Sequence, residues 1–240
     1  MSLRVTPAST HSAATEEPRW HAAIAVVVIL ALYVTLPSSL LLGPAFLAPL
    51  LVLSLLLPLL IFAPSRHQET SLQRSASIAL IAITNLFNVG SVVLLIYYTM
   101  FAANHSTLTG PHGELGGGHL LIAGAQIWIT NILVYSLWYW ELDGGGPEPR
   151  AHAGSAAEFL RADFLFPQMI VGDERIACIE KRWKPLFVDY LFIAFTNALA
   201  FSPADTFPIT RPAKMLMLAE ALTSFVTIAV VLARAVGIIA

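Results

Sequence analysis

After His21 the chain runs to Pro64 without a charged side chain, some forty positions interrupted only by Gly43-Pro44. About 20 apolar residues cross a bilayer once, so this run is long enough to cross twice. It divides into segment one, Trp20–Leu42, and segment two, Ala45–Ala63, with Trp20 as an interfacial anchor and Gly43-Pro44 as a hairpin break. Pro49 and Pro58 in segment two suit a lipid-bathed helix whose neighbours satisfy the freed carbonyls. Similar runs predict segment three at Ser75–Ala102, segment four at His119–Glu141 and segment six at Ala213–Gly237. Segment four closes on Trp138, Tyr139 and Trp140, an aromatic belt expected at the headgroups.

Segment five, Pro185–Phe201, reads two ways. Its uncharged core from Tyr190 to Phe201 has the length of a re-entrant stretch. Counted from Pro185, with Asp189 at the headgroups, about 17 residues just suffice to cross. The expected fold is therefore all-α, a polytopic transmembrane bundle of five helices plus one segment that spans or re-enters.

Composition fits a membrane chain: 57% of residues are hydrophobic and only 12% charged, about half the charge of a soluble domain. The 240 residues make a Ser/Thr/Ala-rich tail at 1–19, expected to be disordered, and a single transmembrane domain at 20–240. The first apolar run starts late and leads straight into a second, which argues against a cleaved signal peptide. A net charge of −2 offers nucleic acid no attraction, and the single Cys178 excludes an internal disulfide. With six crossings and a cytoplasmic N-terminus, every Lys and Arg except Arg211 and Lys214 lies inside. If segment five re-enters from the cytoplasm, only Arg234 lies outside, and the C-terminus with it. Either way the address is the plasma (inner) membrane.

The loops carry little chemistry. His105, His112, His119 and Glu114 include metal-ligating types, but their spacing matches no ligand motif, so neither a metal nor a cofactor is expected. Asn104-His105-Ser106 fits a glycosylation sequon, meaningful only in a eukaryotic secretory route. Gly116–Gly118 and Gly144–Gly146 read as linkers. In the polar loop at 142–184, Ser155–Arg161 suits a short capped amphipathic helix, which would rest Phe159, Leu160, Phe164, Leu165 and Phe166 on the membrane surface. Lys181-Arg182-Trp183-Lys184 reads as a topological anchor. No Ser/His/Asp or Cys/His set suggests an enzyme.

Polar groups inside a membrane are expensive, so they point to function. Segment three offers Asn85 and Asn88 on one face, and segment four Gln126, Thr130 and Asn131. Segment five offers Asp189, Thr196 and Asn197, with Ser202 and Asp205 beyond it. Glu220, Thr223, Ser224 and Thr227 form a helical stripe in segment six, and Arg234 is placed to snorkel at its end. The bland reading is helix-to-helix hydrogen bonding at about 0.6 kcal/mol per contact. Glu220 asks for more, because a carboxylate there costs on the order of 2.5 kcal/mol unless paired, protonated or hydrated.

Trp140–Asp143 with Gly145-Gly146-Pro147, Asp163–Gln168, Asp189–Asn197 and Phe201–Thr206 resemble motifs of a group of bacterial multi-pass membrane proteins of unknown function. The C-terminal stretch also looks distantly like the pore module of tetrameric potassium channels, with Asp205, Pro208, Thr210, Ala213 and Lys214 at matching positions. That resemblance implies a pore helix at Phe187–Leu199, a filter at Ala200–Ala204, an inner helix at Met215–Gly237 and assembly as a homo-oligomer. Ser202 and Ala204 replace the filter glycines, which argues against potassium selectivity. The leading expectation is a channel- or transporter-like protein moving an ion, such as a monovalent cation, or a small solute. The seam would be lined by Asn85, Asn88, Gln126, Asn131, Asp189, Thr196, Asn197, Ser202, Asp205, Glu220, Thr223 and Thr227. The alternative is a non-conducting scaffold that docks a partner through Asp163–Gln168.

Overall fold

The structure, a computed structural model, describes residues 20–44, 50, 71–102, 117–152, 162–170, 183–200, 202 and 205–239. It is predominantly helical. The helices are α1 (Trp20–Thr35), α2 (Ser71–Tyr97), α3 (Gly117–Leu142), α4 (Pro147–His152), α5 (Pro167–Ile170), α6 (Phe187–Ala200) and α7 (Arg211–Ile239). Three stretches, Gln73–Phe101, Gly118–Gly145 and Arg211–Val236, are long and apolar enough to cross a membrane. α1 and α6 are shorter apolar helices. Segment two, Ser155–Arg161 and Cys178 lie outside the described residues, as do His105, His112 and Glu114 of the outer loop.

α3 is the axis, packed against α1, α2, α6 and α7. Its burial explains why: Val134, Tyr135, Ser136, Tyr139 and Asp143 are all enclosed, whereas α7 keeps Met215, Leu218, Leu222, Phe225 and Leu232 exposed on its outer side. Gly124 lets α3 and α7 approach closely, since a Cβ there would fall 2.3 Å from Val231 Cγ2. α1 stops at Thr35, short of the expected Leu42. Pro37 removes a donor, and the chain continues through a 3₁₀ turn at Ser38–Leu40 into an extended strip, where Leu42 covers Gly90.

The other departures cluster where α3 ends. Gly144, Gly145 and Gly146 have φ of 59°, 88° and 105°; they form a helix-stopping turn rather than a loose linker. Arg150 reaches back to the end of α3, donating to the Trp140 and Asp143 carbonyls at 2.7 and 2.5 Å, where a cation is favoured. Residues 163–165 fold under the bundle. Strand β1 (Phe164–Leu165) pairs antiparallel with β2 (Phe207–Pro208), and the Ile209 N–H donates to the Asp163 carbonyl at 2.8 Å. Phe164 and Phe166 are buried against Tyr139, Tyr190 and Trp183, so they do not rest on a membrane surface. Asp163, Phe164 and Leu165 of the segment Asp163–Gln168 are engaged with their own chain, through the pairing with β2 and the bond from Thr210.

This strap also fixes segment five. Tyr190, near the start of α6, bonds Asp143 at the end of α3, and β2, just before α7, pairs with the strap at that same end. α6 and α7 therefore start at the same end and run parallel. Both starts are capped. Asp189 accepts from the Leu186 N–H at 2.6 Å, half of a capping box. Thr210 accepts from the Ala213 N–H at 3.4 Å while donating to Asp163.

Candidate functional site

Three stripes from α2, α3 and α7 meet along the axis. On α3, Asn131, Tyr135, Tyr139 and Asp143 recur every fourth residue and are all buried. α2 presents Thr84, Asn88 and Ser91, and α7 presents Glu220, Ser224 and Thr227, again all buried. The Asn88 amide donates to Asn131 Oδ1 at 3.2 Å, and Asn131 Nδ2 donates to Ser224 Oγ at 2.9 Å, tying the three helices in one chain of bonds.

Glu220 sits one turn along α7 from Ser224 and is fully buried. Its Oε2 accepts from the Tyr139 hydroxyl and from Asn197 Nδ2, the latter at 2.6 Å. Asn197 uses its second amide hydrogen on the Met217 carbonyl at 2.9 Å. With both hydrogens committed, the amide is fixed as a donor toward Glu220. Oε1 is buried without a hydrogen-bond partner. No cationic side chain among the described residues acts on this carboxylate. Glu220 lies nine residues beyond Arg211, about 14 Å along the helix. α6 stops three residues after Asn197, so its negative dipole end lies close to the level of Glu220 along α7.

The remaining expected residues divide. Thr223 and Thr227 face the seam but return their hydroxyls to the Ala219 and Thr223 carbonyls, each at 2.8 Å. Gln126 pairs with Thr35 of α1 at 2.9 Å, and Asn85 stands near Tyr135. Four residues fall outside. Thr196 back-bonds to the Phe192 and Ile193 carbonyls on the outer side of α6, and Asp189 is spent on its cap. Ser202 and Asp205 are exposed, with Asp205 close enough to Asp189 for their charges to repel. Of the filter-like stretch, Ala200 ends α6, and Phe201, Pro203 and Ala204 lie outside the described residues. His119 is exposed, and no group of three or more His, Cys, Asp or Glu that could hold a metal occurs among the described residues.

Two functional side chains escape the hydrophobic pattern. Tyr139 reads as belt because it stands between two tryptophans near the end of an apolar run, yet it is the donor to Glu220. Asp143 reads as loop, yet it is enclosed. Its Oδ1 accepts from the Asp163 and Phe164 N–H groups at 2.6 and 3.2 Å, and its Oδ2 from the Tyr190 hydroxyl at 2.6 Å. The four-residue spacing from Asn131 to Asp143 is the signal that identifies both. Phe164 then closes the seam at the end where α3 stops, its ring 5.1 Å from that of Tyr139. Comparison of the chain with protein-family models, curated proteins and solved structures finds no match, which leaves the geometry of the site as the ground for its function.

Proposed function

We propose that the chain is a polytopic membrane protein that moves an ion or small solute along the seam between α2, α3, α6 and α7, with Glu220 as its central binding group. α2, α3 and α7 cross the bilayer, and α6 dips in from the end where α3 stops. That end is cytoplasmic: Arg74, Arg150, Lys184, Arg211 and Lys214 gather there, against Arg234 alone at the other among the described residues. The N-terminus is then cytoplasmic and the C-terminus external. The observation that carries the reading is the enclosed Glu220 carboxylate, hydrogen-bonded through one oxygen only and unpaired with any described cation. Ionisable groups kept at mid-membrane at such cost mark ion and proton pathways. A short helix ending at mid-depth beside the site is a device by which membrane transporters favour positive charge. The half-helix and long helix within 187–239 have the order of the channel pore module that the sequence resembles, entered here from the cytoplasmic side where that module is entered from outside; a homo-oligomer is what the resemblance implies.

The test is flux into proteoliposomes of the purified protein, with Glu220→Ala and Asn197→Ala alongside the parent. The expected result is flux in the parent and at least a tenfold loss in both variants. A parent that moves no ion or solute, or variants that match it, refutes the proposal.

A further inference from the structure

We propose that the species handled at the seam is the proton, held on Glu220; this rests on the reading of the seam as an ion path and names its cargo. The choice lies between a proton and a larger cation, and three features of the site decide it.

The first is what faces the carboxylate. A metal cation needs lone pairs converging from several sides, as carbonyl oxygens do in a selectivity filter. Glu220 meets hydrogen-bond donors instead: the Tyr139 hydroxyl and the Asn197 amide, both on Oε2. Asn197 cannot turn its oxygen inward, because its other hydrogen is held by the Met217 carbonyl. A cation at Oε2 would meet the positive ends of these dipoles. A proton needs only one oxygen, and Oε1 is not engaged by any donor.

The second is room. The crevice lined by Tyr33, Asn88, Ser91, Gln126 and Thr130 among others lies on the α1 side of Asn88 and does not include Glu220; it admits no sphere the size of a water molecule, so it offers a larger cation no way in from that side. A potassium ion is about as large as water, and a hydrated sodium ion larger. A proton moves by exchange along hydroxyls and carboxyls without opening a cavity.

The third is charge. The titratable groups facing Glu220 are the phenols Tyr135 and Tyr139 of α3. α6 presents Asn197 and α2 presents Asn88, which are neutral, and Tyr33 of α1 is committed to the Thr84 carbonyl at 3.2 Å. The two donors on Oε2 offset only part of the cost of desolvating a carboxylate there, no cation offsets the rest among the described residues, and one proton removes the charge. The step is a simple exchange: hydronium at the mouth of the seam gives up a proton and leaves as water, exchange along hydroxyls passes a proton inward, and an O–H bond forming on the Glu220 carboxyl neutralises its charge. The reverse step delivers the proton to the other side.

The experiment uses two readouts on the reconstituted full chain. Infrared difference spectra across pH should show a protonated carboxyl C=O band that rises and falls with pH. Glu220→Gln should abolish it, and Glu220→Asp should retain it at a shifted frequency, which covers the case where the glutamine variant fails to fold. Dye-reported proton flux, driven by a pH gradient, should fall at least tenfold in Glu220→Gln and be indifferent to exchanging sodium for potassium. A band that is absent, or is unmoved by pH or by either substitution, overturns the proposal. Glu220-dependent sodium or potassium flux that ignores the pH gradient also overturns it, while leaving transport intact. A titrating Glu220 band with no flux of any ion upholds the proton site and refutes transport instead.

Discussion

Asp143 is where the strap is fastened, and removing it has a cost that can be worked out bond by bond. Its carboxylate accepts from three buried donors: the Asp163 N–H, the Phe164 N–H and the Tyr190 hydroxyl. Asp143→Ala leaves all three unsatisfied, at about 1–3 kcal/mol each. The upper sum of about 9 kcal/mol is not reached, because a two-residue strand can lift away and hydrate its donors. The loss therefore settles near the lower bound, about 3 kcal/mol, and falls on opening of the strap rather than on the whole bundle. At about 1.4 kcal/mol per factor of ten, exchange of the strap amides accelerates at least about 100-fold. Asp143→Asn keeps the volume and an acceptor for the two N–H groups but turns an NH₂ toward Tyr190. It costs about 1 kcal/mol, or roughly fivefold in exchange. Hydrogen–deuterium exchange of peptides covering 162–170 and 205–210, on detergent-purified protein, measures both. Peptides from the middle of α3 should exchange as in the parent. If Asp143→Ala leaves the strap peptides within about threefold of the parent rate, Asp143 does not fasten them.

Two further outcomes follow from the packing. Gly124→Val places a branched side chain where a Cβ already falls 2.3 Å from Val231 Cγ2, so α3 and α7 must separate at a cost of about 1–3 kcal/mol; thermal unfolding in detergent should show a lower midpoint, and an unchanged one means that the two helices do not approach there. Reporter fusions after residue 150 and at the C-terminus should report opposite sides of the membrane, since α6 and α7 both start at the basic end; two fusions on one side would mean that segment five crosses.

Helix positions were legible because burial in lipid or protein leaves long uncharged runs, and for segments three to six structure and pattern agree to within a few residues; segment two lies outside the described residues. α1 is the exception, and Pro37 accounts for its early end. The seam was half legible. The stripe on α7 and the paired asparagines of α2 stand out against apolar neighbours. Tyr135 and Tyr139 do not, because an aromatic ring with a hydroxyl serves equally as core, belt or donor. Asp189 and Asp205 stand at the edge of an apolar run, which suggests a lining; in the structure Asp189 caps the start of α6, where an acid is favoured, and Asp205 is exposed ahead of α7. Gly144–Gly146 likewise carries no local mark separating a helix-stopping turn from a linker; the difference lies in Arg150 and the strap that pack on it.

Whether segment five crosses could not come from its length, since α6, at 14 residues or about 21 Å, falls between the two cases. Long-range bonds favour the re-entrant reading that we propose, and they carry a consequence for the site. Asp189 and Thr210 cap two helix starts at one end, and the strap holds both there through Tyr190–Asp143 and β1–β2. With α6 anchored at that end, its length sets how deep Asn197 reaches, and that depth is where α7 brings Glu220. A helix one turn shorter would leave the carboxylate with Tyr139 as its donor and its Oε2 half satisfied; a full crossing would carry the negative helix end past it. The truncated helix, read from sequence alone as a doubtful span, is thus what delivers an amide donor and a dipole terminus to the middle of the bundle. The same anchoring moves Arg211 and Lys214 to the basic end, so loop charge and hydrogen bonding favour one topology.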